Sequence, residues 1–245
     1  MCVKIFHTAN AGLYFYNHDH GLLIDGLHHA ESGFPATPPL MAEQLLSHTG
    51  VFKPHIDLAF THLHPDHFDA GLTSQFLLRN PHTLVYGPEL SDSNITVRSL
   101  ALGIEQMLFG DFRLTAFTTT HDGAAFSQQP HRTFCLQTGE QQYIICGDAA
   151  LQPLLGTHIH MFCSRKTTAV FLNVYQLASE GGLGFLQTIA PEHIVLYHLP
   201  PQNDDPYGYR NLAKNAIARQ TAVSPLRIQI PESMCHIHFQ AETTP

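Results

Sequence analysis

Residues 60–69 read FTHLHPDHFD. Three histidines and two aspartates crowd ten positions directly after IDLAF, a run with the composition of a buried strand. The chain carries 19 histidines in 245 residues, so short clusters arise easily. Even so, His-x-His-x-Asp-His should occur by chance in only about one such chain in two hundred. In extended backbone His62 and His64 lean to the same side, and Asp66 and His67 follow one turn later. Two pairs of ligand-type side chains at this spacing suit two adjacent ions as well as one.

Similar side chains follow other apolar runs. His121 comes after LTAFTTT, Asp148 after QQYIICG and His198 after HIVLY. Each is ordinary when taken singly, since a Gly-Asp step is commonly a turn and a histidine past a strand is commonly a surface residue. Together they place ligand-type side chains at four strand ends. Imidazole and carboxylate hold zinc, manganese or iron, so the residue types imply a metal centre without selecting the metal.

Composition sets the frame. Hydrophobic residues make up 44% and charged residues 13%, which implies a large core. Twelve Lys and Arg against 20 Asp and Glu give a net charge of −8, with the basic residues scattered apart from Arg165-Lys166, so a nucleic-acid groove is not expected. The start MCVKIFHTANAGLYFY lacks the pattern of a signal peptide, and no apolar run approaches the roughly 18 residues of a spanning helix. Cys2, Cys135, Cys146, Cys163 and Cys235 form no C-x-x-C pair, which fits mostly buried, reduced thiols in a cytoplasmic protein. No repeat or low-complexity linker divides residues 1–245, so one domain is expected.

Periodicity predicts a hairpin from KIFHTANAGLYFYN, the turn HDHG and LLIDG, then a helix over PPLMAEQLLSHTG. The cluster leads into a helix, DAGLTSQFLLRN, closed by Asn80-Pro81, with Asp69 as its cap. TLVYGPE reads as a short strand, MLFGDFRLTAFTTTHDG as two strands and HRTFCLQTGEQQYIICGD as a hairpin. TTAVFLNV is a buried strand, YQLASEGGLGFLQTIA one helix, PEHIVLYHLP a strand, and LRIQIPESMCHIHFQ a terminal strand pair. The pattern is α+β: two packed sheets with outer helices.

At this point the chain resembles the metallo-β-lactamase superfamily, whose ligand pattern is His-x-His-x-Asp-His followed by a His, a bridging Asp and a last His. The resemblance spans almost the whole chain and implies a four-layer αβ/βα sandwich. It assigns His62, His64 and His121 to one ion, Asp66, His67 and His198 to a second, and Asp148 to both. Two divalent ions, zinc first with manganese or iron open, would then supply a bridging hydroxide, with Asp66 orienting it and shuttling its proton. Two dications less two carboxylates and one hydroxide leave net positive charge, which would suit an anionic group or a developing oxyanion.

HTANAG, GDAA and the proline before the last ligand strand are most similar to the branch containing L-ascorbate-6-phosphate lactonase. That similarity implies hydrolysis of an ester-type bond, a lactone or phosphodiester, in a small, anionic molecule. The antibiotic-hydrolysing members often use cysteine where this chain has Asp148, and nearby Cys146 reads as a core thiol. The di-iron oxidoreductases put Glu at the position of His64, which favours hydrolysis here. An iron-dependent thiol or persulfide dioxygenase and a non-catalytic metal-binding protein of the same fold remain the alternatives. No RNA-gripping arm is visible.

Several other residues carry weaker expectations. His28-His29 can rim the site or lie on the surface, with the surface reading preferred, and Asn10 can face the site or serve its own turn. Arg165-Lys166 can hold an anionic tail or be solvated. Tyr197 alternates away from His198 into the core. His158 and His160 are possible substrate acids. The second HIH, residues 236–238, has no acidic neighbour and is not expected to bind metal.

Overall fold

The computed structural model describes residues 3–88, 95, 98–99, 103–152, 159–223 and 227–239. Strands and helices are numbered along the chain. Within these residues β1 (Lys4–His7), β2 (Leu13–Tyr16), β3 (His20–Ile24), β4 (His55–Ala59), β5 (Val85–Gly87), β6 (Arg98–Ser99) and β14 (Cys235–Ile237) form one sheet, ordered β14-β1-β2-β3-β4-β5-β6. The second holds β7 (Ile104–Phe109), β8 (Phe112–Thr120), β9 (Pro130–Thr138), β10 (Gln141–Ile145), β11 (Ala169–Leu172), β12 (His193–Leu196) and β13 (Ile228–Gln229), ordered β13-β12-β11-β10-β9-β8-β7. Each is mixed: β3 to β6 run parallel, as do β10 to β13, and the other neighbours are antiparallel.

The alternation of side chains along the strands explains the layers. Leu13 and Phe15 of β2, Leu22 and Ile24 of β3, Tyr143 and Ile145 of β10, and Phe171 of β11 meet in one cluster between the sheets. Their neighbours Tyr14 and Leu23 point outward to Met41 and Leu45 of α1 (Pro39–Ser47) and Phe76 of α2 (Ala70–Arg79). Ile144, Val170 and Leu172 point outward on the other side, toward Phe162 of α3 (Ile159–Phe162), Leu177 of α4 (Val174–Ala178), Phe185 of α5 (Glu180–Ile189) and Ala213 of α6 (Tyr209–Val223). Strands buried on both faces must be apolar at successive positions, which is why YIICG and AVFL read as continuous runs. The result is the expected helix–sheet–sheet–helix arrangement.

Three local expectations are corrected. The first hairpin is a three-stranded meander, because the TANAG turn interrupts the long first strand: Thr8 N donates to Gly12 O at 3.0 Å and Gly12 N to Ala9 O at 2.7 Å. The terminal strands do not pair with one another; β13 joins β12 and β14 joins β1, so the tail closes one edge of each sheet. The glycine-rich helix is two helices, α4 and α5, separated at Ser179, which is extended and caps α5 by accepting from Gly182 N at 2.9 Å. Helix α6 has no counterpart in the sequence reading. Its fully buried apolar positions are the small residues Ala213 and Ala216, with Leu212 and Ile217 only partly buried beside them, so its apolar stripe is weak in the sequence.

Described cysteines Cys135, Cys146, Cys163 and Cys235 are free, but only Cys135 and Cys146 are buried; Cys163 and Cys235 are exposed. No helix among the described residues is long and apolar enough to cross a membrane.

The α4–α5 break is testable. A Cβ at Gly182 would run into the carbonyl oxygen of Gln176. Gly182→Ala is therefore expected to cost about 1–3 kcal/mol, typical of overpacking, read as a lower urea midpoint. An unchanged midpoint would contradict this packing.

Candidate metal centre

The parallel strands deliver their carboxyl ends to one edge of the sandwich, where loops can carry side chains clear of the ladders. After β4 the cluster turns sharply: His67 N and Phe68 N both donate to His64 O at 2.9 Å, which folds Asp66 and His67 back over the strand end. Asp69 closes the turn as predicted, accepting from Leu72 N at 2.9 Å as the cap of α2. From the other sheet, β8 leads to His121, β10 to Asp148 and β12 to His198. An isolated bridge between His121 and Ala149, with Asp122 N donating to Asp148 O at 2.7 Å, locks two of these loops together.

All seven predicted ligand residues arrive at this edge. His62, His64 and His121 form one compact group, Asp66, His67 and His198 another, and His62, His67 and Asp148 a third, each with its candidate ligand atoms within 4.8 Å of one another. Asp148 Oδ2 is central, lying 3.5 Å from His67 Nε2, 3.7 Å from His121 Nε2, 3.8 Å from His62 Nε2 and 3.9 Å from His198 Nε2. His62 Nε2 faces His64 Nδ1 at 3.1 Å, and His67 Nε2 faces His198 Nε2 at 2.9 Å. Asp66 Oδ2 is 3.3 Å from His198 Nε2.

Hydrogen bonds behind the cluster decide which ring nitrogens face inward as lone pairs. His121 Nδ1 donates to the carbonyl of Asp122 at 2.6 Å, so its Nε2 is the acceptor nitrogen, buried and without a protein partner. The Thr61 hydroxyl donates to Asp25 Oδ2 at 2.6 Å and so accepts from His62 Nδ1 at 3.1 Å, which frees His62 Nε2. His67 Nδ1 donates to the same carboxylate at 3.0 Å. A histidine with one nitrogen anchored and the other aimed at a shared point is how imidazole is presented to a metal. The donor set thus fits a divalent cation.

Electrostatics agrees. Burial pushes the His62 and His64 imidazoles below their ordinary range, leaving them neutral and able to ligate at neutral pH. Burial works against the Asp148 carboxylate, but the charges of His198 and His67 outweigh it and hold the group well below the usual carboxyl range. Asp66 is similar: burial opposes its ionisation, yet the bond from His198 and the nearby imidazoles bring it to about 2. His67 is pushed the other way, because Asp148 and Asp25 overcome its burial and favour the imidazolium. A metal ion held among Asp148, Asp66 and these imidazoles would serve the same electrostatic need.

Three supporting residues were not anticipated. Asp25 is fully buried, has φ +49°, and accepts from Thr61 N at 2.7 Å as well as from His67. His131 Nε2 accepts the Asp148 backbone N–H at 3.0 Å, while its Nδ1 donates to Thr119 Oγ1 at 2.7 Å. This contact needs Gly147, at φ +54°, since a Cβ there would lie 2.8 Å from His131 Nε2 and 2.9 Å from Thr61 Oγ1. Asn173 donates from Nδ2 to Asp148 Oδ1 at 2.8 Å and also caps α4. Asn173 had a readable signal, a polar residue after a buried strand like Asp148 itself. His131 had none, lying at the start of an ordinary hairpin strand.

The weaker expectations divide. Asn10 does both jobs considered: it turns the chain at φ +50°, and its Nδ2 donates to Asp66 O at 2.8 Å while its carbonyl accepts from His198 N at 3.0 Å. The surface reading of His28 is wrong; it is fully buried, its Nδ1 donates to His29 O at 3.2 Å, and burial pulls it to about 4. His29 is exposed and pairs with Asp69. Arg165 donates to Gly139 O, at the opposite end of β10 from Asp148, and Lys166 pairs with Glu192, so neither reaches the centre. Tyr197 and Cys146 are core residues. His160 is exposed, and His158 lies outside the described residues. In the second HIH, His236 bonds the Tyr16 hydroxyl.

The cluster forms the floor of a cavity of about 600 Å³ whose walls include Phe34, Phe126, Val174, Tyr175 and Tyr209. Among the described lining residues there is no Lys or Arg, and Glu31 and Asp122 are acidic.

No family model and no curated relative matches the chain. Solved structures do. The chain is similar to the metallo-β-lactamase fold protein YhfI from Bacillus subtilis, with 14% identity, a TM-score of 0.65 and coverage of 96% of this chain and 98% of that one. It is similar to isothiocyanate hydrolase from Delia radicum gut bacteria at 19% identity and a TM-score of 0.67, covering 97% and 100%. It also matches CmlA, a di-iron β-hydroxylase from Streptomyces venezuelae, at 13% identity and a TM-score of 0.64, covering 97% of this chain and 54% of that one. Identities this low establish architecture rather than chemistry. The chain has the metallo-β-lactamase fold.

Proposed function

We propose that the chain is a metal-dependent hydrolase with a dinuclear centre that cleaves an ester-type bond in a small molecule. One observation carries this reading: a single carboxylate oxygen, Asp148 Oδ2, sits within 3.9 Å of four imidazole nitrogens drawn from both sheets. His62, His64 and His121 would hold one ion, Asp66, His67 and His198 the other, with Asp148 shared. Bound as a pair, two divalent ions, zinc in the first instance, would bring the pKa of a held water toward neutrality and polarise the bond under attack.

The protein's own groups supply the rest. Asp25 and Thr61 fix the His67 and His62 rings, and Asn173 and His131 fix Asp148 from its side chain and its backbone. Asp66 opens onto the cavity, where its carboxylate can orient the attacking water and relay its proton to the leaving oxygen. The similarity of HTANAG and GDAA to the L-ascorbate-6-phosphate lactonase branch makes lactones the first esters to try, with phosphodiesters next. The anionic substrate suggested by charge counting finds no basic side chain among the described lining residues, so the centre's positive charge is assigned to the developing oxyanion.

Protein purified without added metal is expected to carry two transition-metal ions per chain by elemental analysis, and Asp148→Ala should lose metal and hydrolysis together. Fewer than one ion in fully folded protein, or undiminished hydrolysis in Asp148→Ala, would contradict the assignment. One iron per chain with oxygen uptake on a persulfide thiol would favour the oxygenase alternative instead.

The outer support makes a separate prediction. His131→Leu leaves the part-buried Asp148 N–H without its partner and should weaken metal binding by about 10- to 100-fold, the range for partners that orient metal ligands. Competition with a chelator reads this directly. Affinity within a factor of about two of wild type, in protein with an unchanged circular dichroism spectrum, would remove His131 from the site.

A further inference from the structure

The cavity above the ligands has walls of a consistent chemistry. Phe126, 50% exposed, leans on the first histidine group, with ring centroids 5.1 Å from His64 and 5.3 Å from His121. Across the floor Phe34 packs edge-on against His198 at 4.2 Å and meets Tyr209 at 5.0 Å, and Tyr209 reaches Tyr175 at 5.8 Å. Tyr175 is 52% exposed. Phe126 and Tyr175, left half in solvent beside a polar floor, mark a binding surface rather than a core, and their flat faces suit a flat apolar partner.

The charges point the same way. Glu31 and Asp122 line the cavity, no Lys or Arg does so among the described residues, and the guanidinium of neighbouring Arg210 is held by the Pro200 carbonyl at 2.6 Å. A phosphate, sulfate or carboxylate on the non-reacting part of a substrate would lose water here beside two like charges and gain no cationic partner. An uncharged ring meets no such penalty.

We propose that the substrate is an uncharged ester or lactone whose non-reacting part is an aromatic ring or a similarly flat apolar group, held between Phe126 and the Phe34–Tyr209–Tyr175 wall. This rests on the hydrolase reading above and narrows it. Hydrolysis is the addition of water across the ester bond: the acyl–oxygen bond breaks, hydroxide joins the acyl carbon, and the proton passes to the alcohol.

Three methyl esters with the same leaving group test the inference on the metal-loaded protein: methyl phenylacetate, methyl acetate, and the monomethyl ester of para-phenylenediacetic acid, which adds a distal carboxylate. The expected kcat/KM for methyl phenylacetate exceeds each of the others by about tenfold or more. Phe126→Ala should cut its advantage over methyl acetate by about fivefold, mainly through KM, and Glu31→Gln should raise turnover of the carboxylate-bearing ester relative to the neutral one. Phenylacetamide, unreactive and uncharged, gives a readout without turnover: it should bind the metal-free wild type in saturation-transfer NMR, and about fivefold more weakly after Phe126→Ala. Equal turnover of the three esters, or preference for the carboxylate, overturns the substrate class while leaving the hydrolase reading intact. No turnover of any ester, with ring-dependent phenylacetamide binding, overturns the hydrolase reading and leaves the aromatic pocket standing. Absence of phenylacetamide binding to the wild type overturns the pocket.

Discussion

A carboxylate that is taken out of water must be met by positive charge or by hydrogen-bond donors, and Asp148 sets that requirement for the whole edge of the sandwich. Its Oδ2 is surrounded by His62, His67, His121 and His198, its Oδ1 accepts from Asn173, and its backbone N–H is taken by His131. No single strand can supply these groups. They come from β4, β8, β9, β11 and β12, so the two sheets must pack face to face with their strand ends level for the centre to exist.

Left-handed backbone marks three points of that convergence, as it also marks the helix ends at His48 and Ala190. Asn10, Asp25 and His198 all have φ near +50° without being glycine, a conformation that costs free energy and persists only where the surroundings enforce it. Asn10 joins the Asp66 loop to the His198 loop, Asp25 braces His62 through Thr61 and His67 directly, and His198 turns back over the cavity. The apolar layers supply the rigidity. The cluster between the sheets holds β3, β10, β11 and β12 in register, and the ligand loops inherit that precision.

Much of this is legible in the sequence, for a physical reason. Strands buried on both faces are uninterrupted apolar runs, so a ligand-type residue just past one stands out; Asp148 and His198 are found this way, His121 by following the β8 run, and His62, His64, Asp66 and His67 by their spacing after IDLAF. Asp69 likewise announced itself by position. What could not be read depends on partners distant in sequence. His131 matters only because Gly147 lets Asp148 approach it, and His28 is buried only because the loops around it close. Ser179 splits a helix that its glycines merely weaken, since Gly182 admits the Gln176 carbonyl. The aromatic wall was equally hidden, as Phe34, Phe126, Tyr175 and Tyr209 are scattered over the chain and share nothing but the cavity.

The central claim is that Asp148 is shared between two ions. Anomalous diffraction from crystals of the protein as purified, collected at the absorption edge of the metal it contains, tests this most directly. The account predicts two anomalous peaks, one contacted by His62, His64 and His121, the other by Asp66, His67 and His198, with Asp148 touching both. A single peak, or two peaks with Asp148 bound to neither, would contradict it.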